Sequence, residues 1–374
     1  MIVWSNAFLW LTTILFKDKK SALYRLTQGF VISATIIFII ISHESAFKFL
    51  FIPLILFVIR QLVTIVRFDK LSVRSASIPF ILIAAITILY YHGQMFPTFR
   101  PNADVHDLKV MTYNILGDAD VTRRMKVIET IRREQPDVLC CTEFNPRTDP
   151  PLFQNMLSDI YPYSVSNRDE NSWMTGELIL SRYPIRLKRN VQIPHIEYGP
   201  ISFIFSEIDV DGRIVNVVNV HLTSSGHHIE QAAELPATIS EKIKISTEPE
   251  RIRDETKFTQ ARLLLDYISD FKDPTIVCGD YNDTPNSRVY RLFKKHLINA
   301  HAAGGWGLGS TFGESWLKNK NFMLPARDII RIDHIFVSSN VDVISSKVVK
   351  DAKGSDHKPV IGVFRFSAVE NSGE

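Results

Sequence analysis

The stretch GDYNDTPNS at residues 279–287 sets two Asp, two Asn and an opening Gly directly behind the apolar run PTIVC. Side chains on a strand alternate faces, so Asp280 and Asn282 are expected on one side and Tyr281 on the other. A carboxylate beside a carboxamide suits a hydrated metal ion, a phosphate or an activated water. A polar turn capping a helix over SRVYRLFKK would explain the same letters. Five further segments repeat the chemistry, however. Asn114 ends MTYN, Glu143 ends LCCTE, His221 ends VVNVH, Asp333 sits in RIDHIF, and Asp356 and His357 sit in GSDHKPV. Each alone could be a turn, a cap or a surface residue; together they suggest a single polar site at the ends of several strands.

Those residues need strands to hold them. LKVMTYNIL, DVLCCTEF, YPYSVS, ELILSRYPI, PTIVCGDYND, RIDHIFVSS, VDVISSKVV and KPVIGVFRF read as strands. ISFIFSEIDVDGRIVNVVNVHL reads as two strands joined at Asp211-Gly212, a strong hairpin signal. Amphipathic patterns predict helices over VTRRMKVIETIRREQP, ended by Pro136, and over PERIRDETKFTQARLLLDYISDF. Hairpins mixed with helix-linked strands suit an α+β domain, two packed sheets flanked by helices, over residues 107–368. The three cysteines lie inside apolar runs and give neither a zinc spacing nor a disulfide framework; adjacent Cys140 and Cys141 should face opposite ways.

The ordered set YNI, TEF, SRYP, NVH, GDYN, IDH and SDH resembles the endonuclease/exonuclease/phosphatase superfamily, whose fold is similar to that of pancreatic deoxyribonuclease. Thr142, where Gln often precedes the Glu, and Tyr281, in place of Phe, are mild departures. The resemblance implies a metal-dependent hydrolase acting on phosphoester bonds, with Mg²⁺ as cofactor and Mn²⁺ as a substitute. Glu143 is then the candidate direct ligand, while Asn114 and Asp356 hold the ion's waters or a second ion. By the same resemblance Asp280 orients or deprotonates the attacking water, and Asn282 holds a phosphate oxygen. His357 pairs with Asp333, and His221 donates to phosphate or protonates the leaving group.

Charge divides the chain. Residues 1–104 carry ten Lys/Arg against four Asp/Glu, a balance of +6, while the remainder carries 33 against 36, a balance of −3. The apolar stretches 1–16, 26–42, 46–66 and 75–99 predict a membrane region of three or four transmembrane helices over 1–99, with 100–106 as linker and 369–374 as tail. Basic residues gather at Lys17, Lys19, Lys20 and Arg25, and again at Arg67, Lys70 and Arg74. This places those loops in the cytoplasm and the catalytic domain outside the inner membrane. The expected partners are the bilayer and a phosphoester substrate, a lipid phosphate or a nucleic acid, with no protein partner called for. A body of −3 gives little electrostatic help toward DNA. The glycine-rich segment HAAGGWGLGSTFGESWLKNKNFMLPARD, carrying Trp306, Phe312, Trp316, Phe322 and Met323, is expected to overhang the site. A catalytically silent membrane-bound binding module is the alternative from another class.

Overall fold

The computed structural model describes residues 107–167, 175–193, 201–224, 239–313 and 330–366. The chain divides between His92 and Gly93 into two units, and every described residue falls in the second. The four apolar stretches lie outside the described residues, as do Trp316, Phe322 and Met323. Among the described residues no helix is long and apolar enough to cross a membrane.

Two six-stranded mixed sheets pack face to face. The first has the order β11-β12-β1-β2-β4-β3 and the second β5-β6-β7-β8-β10-β9. In chain order the strands are β1 (Leu108–Asn114), β2 (Val138–Phe144), β3 (Tyr163–Ser166), β4 (Gly176–Ser181), β5 (Ile185–Ile193) and β6 (Ile201–Val210). They continue with β7 (Arg213–His221), β8 (Thr275–Asp280), β9 (Ile298–Asn299), β10 (Asp333–Val337), β11 (Val341–Val348) and β12 (Val360–Phe366). The helices are α1 (Val121–Glu134), α2 (Asp149–Leu157), α3 (Ile239–Ile268), α4 (Arg288–His296) and α5 (Ala300–Gly304).

Strand alternation builds three cores. Val110, Val138, Cys140, Val217, Ile276, Cys278, Ile335 and Val360 meet between the sheets. The other face of the first sheet, with Met111, Leu139 and Cys141, packs on Val127, Ile128 and Ile131 of α1 and Phe153 and Leu157 of α2. The outer face of the second sheet packs on Ala261, Leu264 and Ile268 of α3 and Val289, Tyr290 and Phe293 of α4. Cys140 and Cys141 therefore fall into different cores, and all three cysteines are free thiols. Each fully buried branched or aromatic side chain contributes about 1.5–3 kcal/mol to this helix–sheet–sheet–helix stack.

Local signals explain most element ends. Asp120 caps α1 by accepting from the Arg123 N–H at 2.8 Å, and Gln135 closes it in the left-handed region at φ 45°. The β6–β7 hairpin turns at Asp211 (φ 53°) and Gly212 (φ 90°), the paired positive angles that a two-residue hairpin needs. Helix α2 has no counterpart among the elements expected from the sequence, and it carries Pro150-Pro151. Proline is tolerated in a first helical turn, and both sit there. Strand β5 also goes unread, although IRLKRNVQI alternates apolar and polar residues except at Arg189. Helix α3 begins at Ile239, ten residues before the sequence pattern starts.

Candidate active site

One end of the sandwich collects the polar strand ends. In the second sheet His221 of β7 is register partner to Asp280 of β8, which in turn is partner to Asp333 of β10. Register partners share a face, and this face is the one that carries Val217, Ile276, Cys278 and Ile335 into the inter-sheet core. The row His221–Asp280–Asp333 is thus the last rung of that core. Gly279 permits it: at φ 148° its missing Cβ would lie 1.8 Å from the Val220 carbonyl oxygen.

Asn114, ending β1 on the inner face of the first sheet, reaches across. Its Nδ2 donates to Glu143 Oε1 at 2.8 Å and to Asp280 Oδ2 at 3.0 Å. Glu143 arrives differently. Alternation along β2 would send it outward with Leu139 and Cys141, but the β2–β4 register shifts between Cys141 and Phe144 and Glu143 adopts φ 57°. Such a bulge re-aims a side chain, at about 1–3 kcal/mol of local strain for a left-handed non-glycine residue. The Gly117 N–H then holds Glu143 Oε2 at 3.0 Å. The loop carrying Gly117 is itself pinned by Arg124, a buried guanidinium of α1 that bonds the Ile115 and Leu116 carbonyls and Asp149.

Beyond Asp280 the expected alternation ends. Asn282 sits at φ 48°, outside the strand, with its N–H on Asp280 Oδ1 at 2.8 Å and its Nδ2 on the Leu222 carbonyl at 3.0 Å. It stays beside Asp280 through these bonds and not through strand geometry, while Tyr281 is buried on the opposite side. The helix-capping reading of this segment holds as well, since Ser287 caps α4 by accepting from the Tyr290 N–H at 3.0 Å.

His357 Nδ1 lies 2.9 Å from Asp333 Oδ2, and its Nε2 lies 3.8 Å from Asp280 Oδ2. On the other side His221 Nε2 stands 3.7 Å from the same oxygen. Asp280 therefore lies between two imidazoles. Burial works against a charged His357, but Asp333, Asp280 and Asp356 outweigh it and raise its pKa to about 10. Burial pushes Asp333 up to about 6 against the pull of His357, so this pair holds a proton firmly. Glu143 is also resisted by burial, yet His221, the Asn114 amide and the Gly117 N–H hold it below the usual carboxylate range. Asp356 is raised by burial, and the charges of Glu143 and Asp280 add to the rise against the pull of His357.

Four carboxylates, Glu143, Asp280, Asp333 and Asp356, thus crowd two histidines, and a cation would relieve the excess. Ligand atoms of Glu143, His221 and Asp280 lie within 4.8 Å of one another, as do those of Asp280, Asp333 and His357. Carboxylate oxygens dominate this set, which fits a hard divalent ion. Asn114, expected among the metal-holding groups, differs in one respect: its Oδ1 accepts the Leu116 N–H at 3.1 Å, so it turns N–H groups toward the site.

Several participants escape the sequence. Asn219 of the NVH motif spans the sheets, donating to the Cys141 and Leu178 carbonyls at 2.7 and 3.2 Å. Ser355 accepts the His357 N–H and donates to the Asn114 carbonyl. Lys257 of α3, nearly fully buried, reaches the Asn282 carbonyl at 2.8 Å. Of the glycine-rich segment, Phe312 lies with its ring 4.8 Å from that of His357, while Trp306 is 74% exposed. Asn219 and Ser355 stand in the NVH and SDH motifs, but their long-range partners, like that of Lys257, lie far away in the chain and are marked by no local pattern.

The family model for the endonuclease/exonuclease/phosphatase family matches residues 111–357. The chain belongs to that family, one of phosphoester hydrolases. No curated protein matches the sequence significantly. Among solved structures it is similar to an endonuclease/exonuclease/phosphatase from Bacteroides vulgatus, with a TM-score of 0.53 and 16% identity over 70% of this chain and 99% of that one. A family protein from Bacteroides thetaiotaomicron gives 0.51 and 17% over 72% and 98%. A functionally unknown conserved protein from Enterococcus faecalis gives 0.52 and 17% over 70% and 100%. At such identities the likeness bears on the fold, which is the two-sheet deoxyribonuclease-I-like sandwich.

Proposed function

We propose that this chain is a membrane-anchored, Mg²⁺-dependent phosphoesterase that hydrolyses a phosphodiester or phosphomonoester of a lipid or lipid-linked phosphate. The observation that carries the hydrolytic reading is Asp280, held by the Asn114 amide and the Asn282 N–H and flanked at 3.7 and 3.8 Å by His221 and His357. Glu143 would hold the ion directly, with Asp356 on its waters and Asn114 steadying both carboxylates, and Mg²⁺ or Mn²⁺ there would supply Lewis-acid polarisation of the phosphoryl group.

The chain's own groups do the rest. Asp280 orients a water and draws its proton as the water attacks phosphorus. His357, kept protonated by Asp333, is a fixed cation facing the charge that builds on the phosphoryl oxygens. The amide of Asn282 has one N–H left after its bond to Leu222, and this donates to a phosphate oxygen. His221, half-buried at the rim, delivers a proton to the leaving oxygen. The lipid assignment rests on sequence: apolar stretches before residue 100, basic loops that place the domain outside the inner membrane, and a catalytic part that is not basic.

The test is paired hydrolysis by the detergent-purified full chain with Mg²⁺, on total membrane phospholipid and on plasmid DNA, with Asp280→Ala as control. Lipid turnover that the control loses supports the proposal. Cleavage of DNA alone would make the protein a membrane-anchored nuclease instead, and silence on both would point to a narrower phosphoester or to the binding-module reading.

A further inference from the structure

We infer that Thr311 is a positioning residue for the Asp333–His357 pair, acting through its hydroxyl. The inference rests on the reading of that pair as catalytic. Thr311 is fully buried and uses every polar group it has on the two segments that carry the pair. Its N–H donates to the Ile330 carbonyl at 2.7 Å, just before Asp333, and its carbonyl accepts the Lys358 N–H at 2.8 Å, just after His357. Its Oγ1 accepts the Ile332 N–H at 3.1 Å and the Asp333 N–H at 3.3 Å.

A hydroxyl has two lone pairs and one proton. Both lone pairs of Oγ1 are engaged by the backbone N–H groups of Ile332 and Asp333, which ties the start of β10 to residue 311. Asp333 Oδ2 is taken by His357, and Oδ1 is buried with no hydrogen-bond partner. The hydroxyl therefore fixes the backbone from which Asp333 aims Oδ2 at the imidazole. The next residue completes the clamp: Phe312 pairs in both directions with Ile330 through its backbone and lays its ring against His357 at 4.8 Å. Phe312 thus contacts the pair through the His357 ring and joins it by a backbone bridge.

The experiment uses the full chain in detergent with Mg²⁺ and bis(4-nitrophenyl) phosphate as probe, comparing wild type, Thr311→Val and Thr311→Ser over a range of pH. Thr311→Val should lose about ten- to a hundredfold in kcat, the effect of leaving two buried N–H groups beside Asp333 without their acceptor, with KM unchanged. Thr311→Ser should stay within about threefold of wild type, since it keeps the proton and both lone pairs. Thr311→Ala serves as a second hydroxyl-free variant, so that a packing failure in one does not decide the outcome. Equal impairment of the Ser and Val variants would show that only the methyl group matters and overturn the inference, as would full activity in Thr311→Val. Asp333→Asn separates the two levels: activity retained there would remove the catalytic pair itself, whereas activity lost there but kept in Thr311→Val would remove only the role of Thr311.

Discussion

Strands β2 and β8 each carry a carboxylate at or next to their last residue that faces the same site, yet they deliver it by opposite means. Asp280 follows the alternation of its strand, in line with Ile276 and Cys278, and its place is fixed by register with His221 and Asp333. Glu143 defies the alternation of its strand and depends on a bulge, a left-handed backbone and the bonds from Asn114 and Gly117. A carboxylate built into the core's last rung is aimed by the strand itself. One turned in by a bulge needs a supporting shell, and Asn114 belongs to both because it bonds both carboxylates.

This contrast can be broken by substitution, and the largest effect is expected at the register-fixed end. Asp280→Asn should lower turnover by about 10³–10⁴-fold, the upper range for a lost general base, with an unchanged melting temperature within about a degree or two. Next comes the glycine that lets β8 approach β7. Gly279→Ala would force a Cβ to 1.8 Å from the Val220 oxygen, so thermal unfolding should reveal more than about 3 kcal/mol of lost stability, or no folded protein. The supporting shell should respond more gently. Asn114→Ala removes the bridge between the two ends, and titration of activity with Mg²⁺ should show the metal requirement raised about 10–100-fold.

The smallest effect is a control from outside the site. His301 of α5 has its pKa lowered to about 4 by burial and by Arg331, with Lys350 adding to the fall against a bond from its ring to the Gly307 carbonyl. Its unfolded value is about 6.5, so below that pH the unfolded chain takes up a proton that the folded chain refuses. Stability should therefore fall as pH drops from about 6.5 toward 4 and level off below, when both states are protonated. Melting curves should lose about 1 kcal/mol between about pH 7 and pH 5.5, and His301→Gln should remove that part of the slope. His334, buried nearby and also held far below its usual value, contributes in the same direction and stays in the variant.

The same contrast explains what was legible. The sandwich and its hairpin at Asp211-Gly212 follow from period-two patterning and turn chemistry, which are local. The polar strand ends stand out because a core strand has no packing reason to finish on Asp, Asn or His, and the family resemblance ordered them. Alternation gave the face of Asp280 but would misplace Glu143, since a bulge leaves no mark in VLCCTEF. It placed Asn282 beside Asp280 for a reason the structure replaces, a left-handed turn and not a continued strand. Thr311 and Lys257 act through contacts with residues distant in sequence, so composition and spacing could not single them out, and the SDH motif includes Ser355 without indicating its bond to Asn114. Helix α2 went unread, and its proline pair sits in a first turn that accommodates it.

Whether two strand ends from different sheets form one metal-dependent hydrolytic site with separable duties is decided by the Mg²⁺ dependence of bis(4-nitrophenyl) phosphate hydrolysis by the full chain, with Glu143→Gln and Asp280→Asn measured beside wild type. A chelator should abolish wild-type activity and Mg²⁺ restore it, Glu143→Gln should recover part of its activity at high Mg²⁺, and Asp280→Asn should stay inactive at every concentration. Activity that survives the chelator, or two variants that answer Mg²⁺ in the same way, would contradict a metal-dependent site with separable duties.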